Sequence, residues 1–193
     1  MEAAGEEFEL SGYSGATTAA IAKRAEVTEA QIFRFYDSKQ DLFRAAIFKP
    51  LNDHFARFHE QHELTMERVG DDRDLARKYI RELQDFMEQH SRMFMSLIVA
   101  SAYAPDTMDS VADMKGLIDY FDRGTKTMQA RYGDDSKVAP ELMVRVSFAA
   151  VLANLMFKDW LFPPGLASKD EISEAIIEFV IEGIEANKPD DDR

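Results

Sequence analysis

Residues 28–42 read TEAQIFRFYDSKQDL, and the fold follows from how that stretch starts and stops. Thr28 followed by Gln31 forms a capping box: the threonine oxygen takes the third amide, and the glutamine side chain reaches back. Val27 before the cap and Ile32 after it have the spacing of a hydrophobic staple. Ile32 and Tyr36 share one helix face, which leaves Glu29, Ala30, Phe33 and Arg34 pointing elsewhere. Asp37-Ser38 ends the helix, and Ser38 with Asp41 caps a new one. Upstream, Thr17 is a third cap and opens TAAIAKRA. Two short capped helices, a tight turn at Glu26-Val27 and a further helix make a helix-turn-helix candidate.

The rest of the composition bounds what such a motif can do. The 193 residues suffice for a sizeable core, as one unit or as a small head plus a larger body. A net charge of −13 writes no general nucleic-acid affinity into the chain. The charge is uneven, however: residues 17–49 hold six basic side chains (Lys23, Arg24, Arg34, Lys39, Arg44, Lys49) against four acidic ones. That asymmetry suits a local DNA-facing head. Cysteine is absent, so disulfide and thiolate chemistry are excluded. The N-terminal MEAAGEEF has neither a basic nor an apolar leader segment, and residues 146–157, the most apolar run, are too short for a bilayer span. A cytoplasmic protein without membrane contact is expected.

Taken in order, the chain reads as all-α. A helix is expected up to Ser11 with Gly12 as its C-cap, and another from about Thr18 to Ala25. Glu26 stands in the turn, where a left-handed backbone would cost a non-glycine roughly 1 kcal/mol. From Ser38 a helix runs past Pro50, which predicts either a kink there or a fresh start with proline at its first position. Apolar residues then hold helical spacing from Asp74 to Tyr103 with a break near His90-Ser91, and again from Val111 to Tyr132. Pro140 opens a helix to about Phe162 that is apolar nearly all round, and Ser168 with Glu171 caps the last one, to Asn187. Residues 188–193 form an acidic tail.

The segment GYSGATTAAIAKRAEVTEAQIFRFYDSKQDLF resembles the DNA-binding domain of the TetR family of bacterial transcriptional regulators. The likeness covers about residues 8–49 and is carried by Gly12, Thr17, Ile21-Ala22, Val27, Ile32, Phe33, Lys39 and Leu42. It implies a three-helix head (residues 1–48) with double-stranded DNA as partner, and a helical effector-binding and dimerisation body (residues 49–187). It further implies phosphate contacts at Thr18 and Lys39 and base-edge contacts at Glu29, Ala30, Gln31 and Phe33. The caps Thr17 and Thr28 stand beside them, with Arg34 and Phe35 as further backbone contacts. The family's first helix usually begins about two turns earlier, behind a basic arm. Here the chain opens inside that shortened helix, with Gly5 and Glu7 where apolar residues are usual.

Other chemistry is thin. His54, His59 and His62 are ordinary helix-face histidines, since HEQH is one residue short of the HExxH zinc motif and no cysteine completes a site. Neither a nucleophile elbow nor a glycine-rich phosphate loop is present, so no enzyme, metal or cofactor is expected. Five methionines fall between Met87 and Met114, among aromatic residues. They can be plain core. With the small-molecule binding that the resemblance implies, they instead suggest an apolar pocket of Phe86, Met93, Phe94, Leu97, Tyr103, Met108, Met114 and Phe121. The last two long helices need cover on both sides, which predicts a homodimer through Ala149, Ala150, Ala153, Met156, Ile177, Val180 and Gly183. The expected function is a ligand-responsive repressor released from a palindromic operator by a small, mostly apolar effector. The alternative is a small-molecule-binding helical dimer whose head grips DNA weakly or not at all.

Overall fold

The computed structural model describes residues 1–68, 73–103, 115–133 and 136–186, with the backbone alone at 59 and 61–68. The expected tail at 188–193, the candidate pocket residues Met108 and Met114, and the side chains of His59 and His62 lie outside the described residues. Among the described residues there is no strand. The helices are α1 (Glu2–Gly15), α2 (Thr18–Arg24), α3 (Glu29–Phe33), α4 (Lys39–Phe43), α5 (Lys49–Arg68) and α6 (Arg73–Gln89). They continue with α7 (Ser91–Tyr103), α8 (Lys115–Tyr132), α9 (Pro140–Met156), α10 (Lys158–Leu161) and α11 (Lys169–Glu185). Packing groups them into two compact units: residues 1–55 with 90–118, and residues 56–89 with 119–193. In the first unit α7 packs with α1.

In the first unit, Phe8, Tyr13 and Phe43 form a triangle of rings, with Phe43 edge-on to both at 5.0 and 5.1 Å. Ile21, Ile47, Leu51 and Phe55 are buried in the same unit, and the Phe94 ring stands edge-on to Phe55 at 5.7 Å. Gly12 takes φ +66°, which ends the first run of α1 where a C-cap was expected. The buried Ser96 hydroxyl of α7 donates to the Phe8 carbonyl at 3.2 Å, giving an acceptor near that helix end a partner. Glu7, where an apolar residue is usual, accepts from Arg24 of α2 at 3.1 Å and from Ser11 at 2.9 Å, with a side chain only 13% exposed. A carboxylate fits there because its charge is met.

Between α4 and α5 the chain passes through a π-helical turn, Arg44–Phe48, in which the Lys49 amide donates to the carbonyl of Arg44, five residues back. Pro50 follows directly. It has no amide for the Ala46 carbonyl and its ring crowds that group, so a wider turn just ahead relieves the clash.

In the second unit, α6 and α11 are joined by a charge ladder. Arg73 binds Glu178, Glu182 and Glu185, Arg77 binds Glu174 and Glu178, and Arg81 binds Glu174. The Gln84–Ser173 pair and Lys169–Glu88 continue it toward the start of α11. Phe58, Tyr79 and Phe86 form one aromatic group of the core, and Tyr120, Phe121 and Phe148 another. The expected helix from Pro140 to Phe162 is interrupted. Phe157 leaves helical geometry at φ −112°, ψ 21°, and its ring stacks on Trp160 at 5.6 Å across the corner.

Glu26 has φ +56°, the one positive φ at a non-glycine among the described residues. It closes a Schellman motif, with Val27 N–H bonded to the Ala22 carbonyl and Glu26 N–H to that of Lys23. Glu26→Gly should therefore raise the unfolding free energy in urea by about 0.5–1 kcal/mol, and Glu26→Val should lower it. Equal stability of all three would show that the turn stores no strain.

Candidate functional site

The three sequence-read caps form. Thr17 accepts from Ala20 N–H, Ser38 from Asp41 N–H, and Thr28 with Gln31 closes both arms of the capping box. Around them α2 and α3 pack as a helix-turn-helix, with Ile21, Ala22 and Ile32 buried between them and the rest of their unit. Glu29, Ala30, Gln31, Phe33, Arg34 and Phe35 are all exposed on α3 and the turn after it, and Phe35 is 76% exposed. The structure thus puts the implied reading residues together on one surface. α3 itself is short, though helical hydrogen bonding runs on to the Tyr36 amide.

Three of these groups are already engaged. The Gln31 carbonyl oxygen accepts from the Thr28 amide at 2.8 Å, so its amide NH2 is what remains to face a base. The Thr18 hydroxyl donates to Glu29 at 2.6 Å, pairing an implied phosphate contact with an implied base contact. Lys39 donates from Nζ to the Ala16 carbonyl at 2.9 Å and lies 4.7 Å from the Tyr13 ring centre. Lys39 therefore ties the start of α4 to the loop before α2 as well as carrying charge.

The second unit holds a partly open cavity of about 240 Å3 between α6, α8, α9 and α11. Its walls are apolar, including Ile80, Leu83, Met128, Met143, Phe148, Val151, Val180 and Ile181, while Arg73, Arg131, Glu185, Ser147 and three tyrosines supply the polar atoms. Gly124 lies in the α8 wall, where an added Cβ would meet Val144 of α9 at 2.8 Å, so glycine lets these two helices approach. Burial lifts the Tyr120 phenol from 10.0 to about 12, against the opposing pull of its bond with Tyr79. Burial raises Tyr79 too, and its contact with Tyr120 adds to the shift.

Residues 1–46 match the model of the "Bacterial regulatory proteins, tetR family". That stretch is similar to the family's DNA-binding domain, and it covers the helix-turn-helix described above. No curated protein matches the chain's sequence. Solved structures match its fold. The TetR family transcriptional regulator PfmR from Thermus thermophilus superposes with a TM-score of 0.67 at 14% identity, covering 94% of this chain and 96% of that one. The fatty acid degradation regulator FadR from Bacillus halodurans gives 0.62 at 14% identity, covering 94% and 95%. AibR, in complex with isovaleryl coenzyme A and operator DNA, gives 0.60 at 18% identity, covering 92% and 94%. Among the described residues, no helix of this chain is long and apolar enough to cross a membrane.

Of the expected pocket residues, the six described ones do not line the cavity. Phe94 and Leu97 are buried in the first unit, and Met93 and the exposed Tyr103 belong to the same helix, α7. Phe86 and Phe121 lie in the second unit, packed against Phe58 and Phe148. Methionine and aromatic density marks adaptable packing of either kind, and here Met87 and Phe86 serve core. The missed signal was subtler: Tyr120, Gly124, Met128 and Tyr132 recur every fourth position on α8, an apolar stripe with a gap at the glycine. Of the expected dimer residues, Ile177 (0% exposed) and Val180 belong to the unit's own core, because α11 turns that side toward α6 and α9. Ala149 and Gly183 are exposed, and Ala150, Ala153 and Met156 half-buried.

Lys39→Met keeps the stem and removes the charge-assisted bond to Ala16. It should lower the unfolding free energy by about 1–2 kcal/mol in urea titrations, whereas Arg34→Met, on the exposed turn, should change it by less than about 0.5 kcal/mol. The phenols give a pH test. In the unfolded chain Tyr120 loses its proton near 10, and in the fold near 12, so the folded state holds the proton more tightly. The associated stability is present below pH 10 and falls as pH rises toward 12, by up to about 2–3 kcal/mol. Unfolding free energies measured across that range should show the decline, and Tyr120→Phe should make it shallower while the part due to buried Tyr79 remains.

Proposed function

We propose that this protein is a homodimeric repressor, acting in the cytoplasm, that holds a palindromic operator and is released by a small, mostly apolar effector. The cavity carries the reading: an apolar space with a few polar atoms, in a chain whose other end is a DNA-binding motif, is the usual form of a small-molecule site. AibR, a protein of the same fold, is found with isovaleryl coenzyme A and operator DNA together, and FadR is named for fatty acid degradation. The isovaleryl group and the fatty acids in those names are apolar, which supports an effector with an apolar part here.

At the DNA end, the exposed α3 surface fits a major groove. Ala30 and Phe33 offer apolar contact to thymine methyl groups, and the Gln31 NH2 can donate to a base acceptor. Bidentate pairing of Gln31 with adenine would require its oxygen to leave the Thr28 amide. Lys23, Arg34 and Lys39 supply phosphate contacts, whose affinity falls with salt as counterions are released.

The dimer reading rests on an uncovered apolar face of α9 and α11. Val146 is 64% exposed and Phe179 77%, and Leu142, Ala149 and Gly183 extend the same surface. A two-fold pairing of these helices would cover it, and a Cβ at Gly183 meets nothing within 4 Å, so close approach is open.

The test joins both ends. The wild-type chain should select a palindrome from random duplexes, with affinity dropping at least about tenfold between 50 and 200 mM salt. Phe179→Asp should give monomers by light scattering and weaken binding to that palindrome. A wild-type dimer that takes up apolar ligands but selects no duplex would sink the repressor reading in favour of a ligand-binding dimer with a weak head.

A further inference from the structure

Among the described residues of the second unit, Tyr132 carries a polar group that the packing leaves unused. Tyr132 is 4% exposed, its ring seated with Met128 and Met143, and its buried hydroxyl has no hydrogen-bond partner. Buried hydroxyls are nearly always bonded, so an orphan of this kind needs an explanation. Tyr79 and Tyr120, the other phenols on the cavity wall, interact with each other. Glu185, the nearby carboxylate at the rim, is bonded to Arg73 at 3.0 Å. Burial raises the Tyr132 pKa, so its hydroxyl stays protonated at neutral pH and acts as a donor.

Resting on the effector reading above, we infer that the Tyr132 hydroxyl anchors the ligand, which is an apolar molecule of about ten non-hydrogen atoms carrying a carbonyl or carboxylate oxygen. The size follows from the volume: an engineered apolar cavity of about 150 Å3 holds benzene, and this one is about 240 Å3. The apolar part follows from the Ile80, Leu83, Phe148, Val151 and Ile181 walls. The acceptor follows from the orphan donor. The charge of that acceptor is contested by two neighbours, since Arg131 lies 5.5 Å from the Tyr132 ring centre and favours an anion while Glu185 opposes one.

Three probes of one skeleton test this on the full chain by calorimetry: 4-phenylbutan-2-one, 3-phenylpropanoate and butylbenzene. At least one oxygenated probe should bind about fivefold or more tightly than butylbenzene. Tyr132→Phe should erase that advantage, leave butylbenzene within about twofold, and raise the ligand-free Tm by about 2–4 °C because the orphan hydroxyl is gone. Whichever oxygenated probe wins reports whether Arg131 or Glu185 sets the preferred charge, and either supports the anchor. Butylbenzene binding as tightly as both, or oxygenated probes unaffected by Tyr132→Phe, would overturn the anchor while leaving the cavity as a ligand site. Absence of binding by all three would overturn the cavity reading and the anchor with it. Should Tyr132→Phe fail to fold, Tyr132→Leu takes its place in the same three measurements, with the same outcomes for and against.

Discussion

A helix of five residues cannot stand alone in water, and α3, the proposed reading helix, is that short. It exists because its ends are held. Thr28 and Gln31 satisfy two orphan amides at once, and Ile32 anchors the inward face. The same economy explains Lys39 and Glu7, which look misplaced as pure surface charges. One secures the Ala16 carbonyl and the other holds Arg24, so groups of the DNA-facing end double as fasteners of a small fold. A head of this size has few spare residues. The consequence for function is that reading a base through the Gln31 oxygen competes with keeping the helix that presents it.

The second unit meets the opposite problem. The pocket of about 240 Å3 leaves apolar side chains such as Ile80, Leu83 and Phe148 without packed partners on one side. Sequences under selection for stability alone would fill it with larger side chains. The α6–α11 charge ladder and the buried tyrosines brace the walls around that space. Individual exposed ion pairs contribute little, but several on two facing helices hold one register. The unfilled volume is then a feature that a ligand can turn into stability by occupying it.

These two regions differed in how legible they were, and the difference is physical. The head is written in short-range code: caps, a staple and turn residues act within four positions, so Thr17, Thr28 and Ser38 could be read directly as helix starts. Even the left-handed turn at Glu26 follows from local geometry. What the chain alone concealed was side-chain bookkeeping over longer distances, such as Lys39 reaching Ala16 or Glu7 reaching Arg24. The cavity is a void, and no residue type codes for a void. It arises where α6, α8, α9 and α11 diverge, which depends on packing between positions far apart in the chain. Methionine density therefore pointed to α7, which packs on α1 instead. Similarly, α9 and α11 showed two apolar sides each, but nothing local said which side faced in.

That two-sidedness has a further meaning within the second unit. On α9, Val144, Ser147, Phe148 and Val151 wall the cavity, while Val146 and Ala149, one residue around the helix, are exposed. On α11, Val180 and Ile181 line the cavity beside the exposed Phe179. The same two helices thus carry the inner wall on one face and the uncovered apolar surface on the other. A rigid rod cannot rotate one face without the other. Any molecule that fits the cavity better in one setting of α9 and α11 than in another must also favour one arrangement of the outer surface, to the extent of that difference in affinity and no further. A ligand that filled the space equally well in both settings would stabilise the protein and signal nothing.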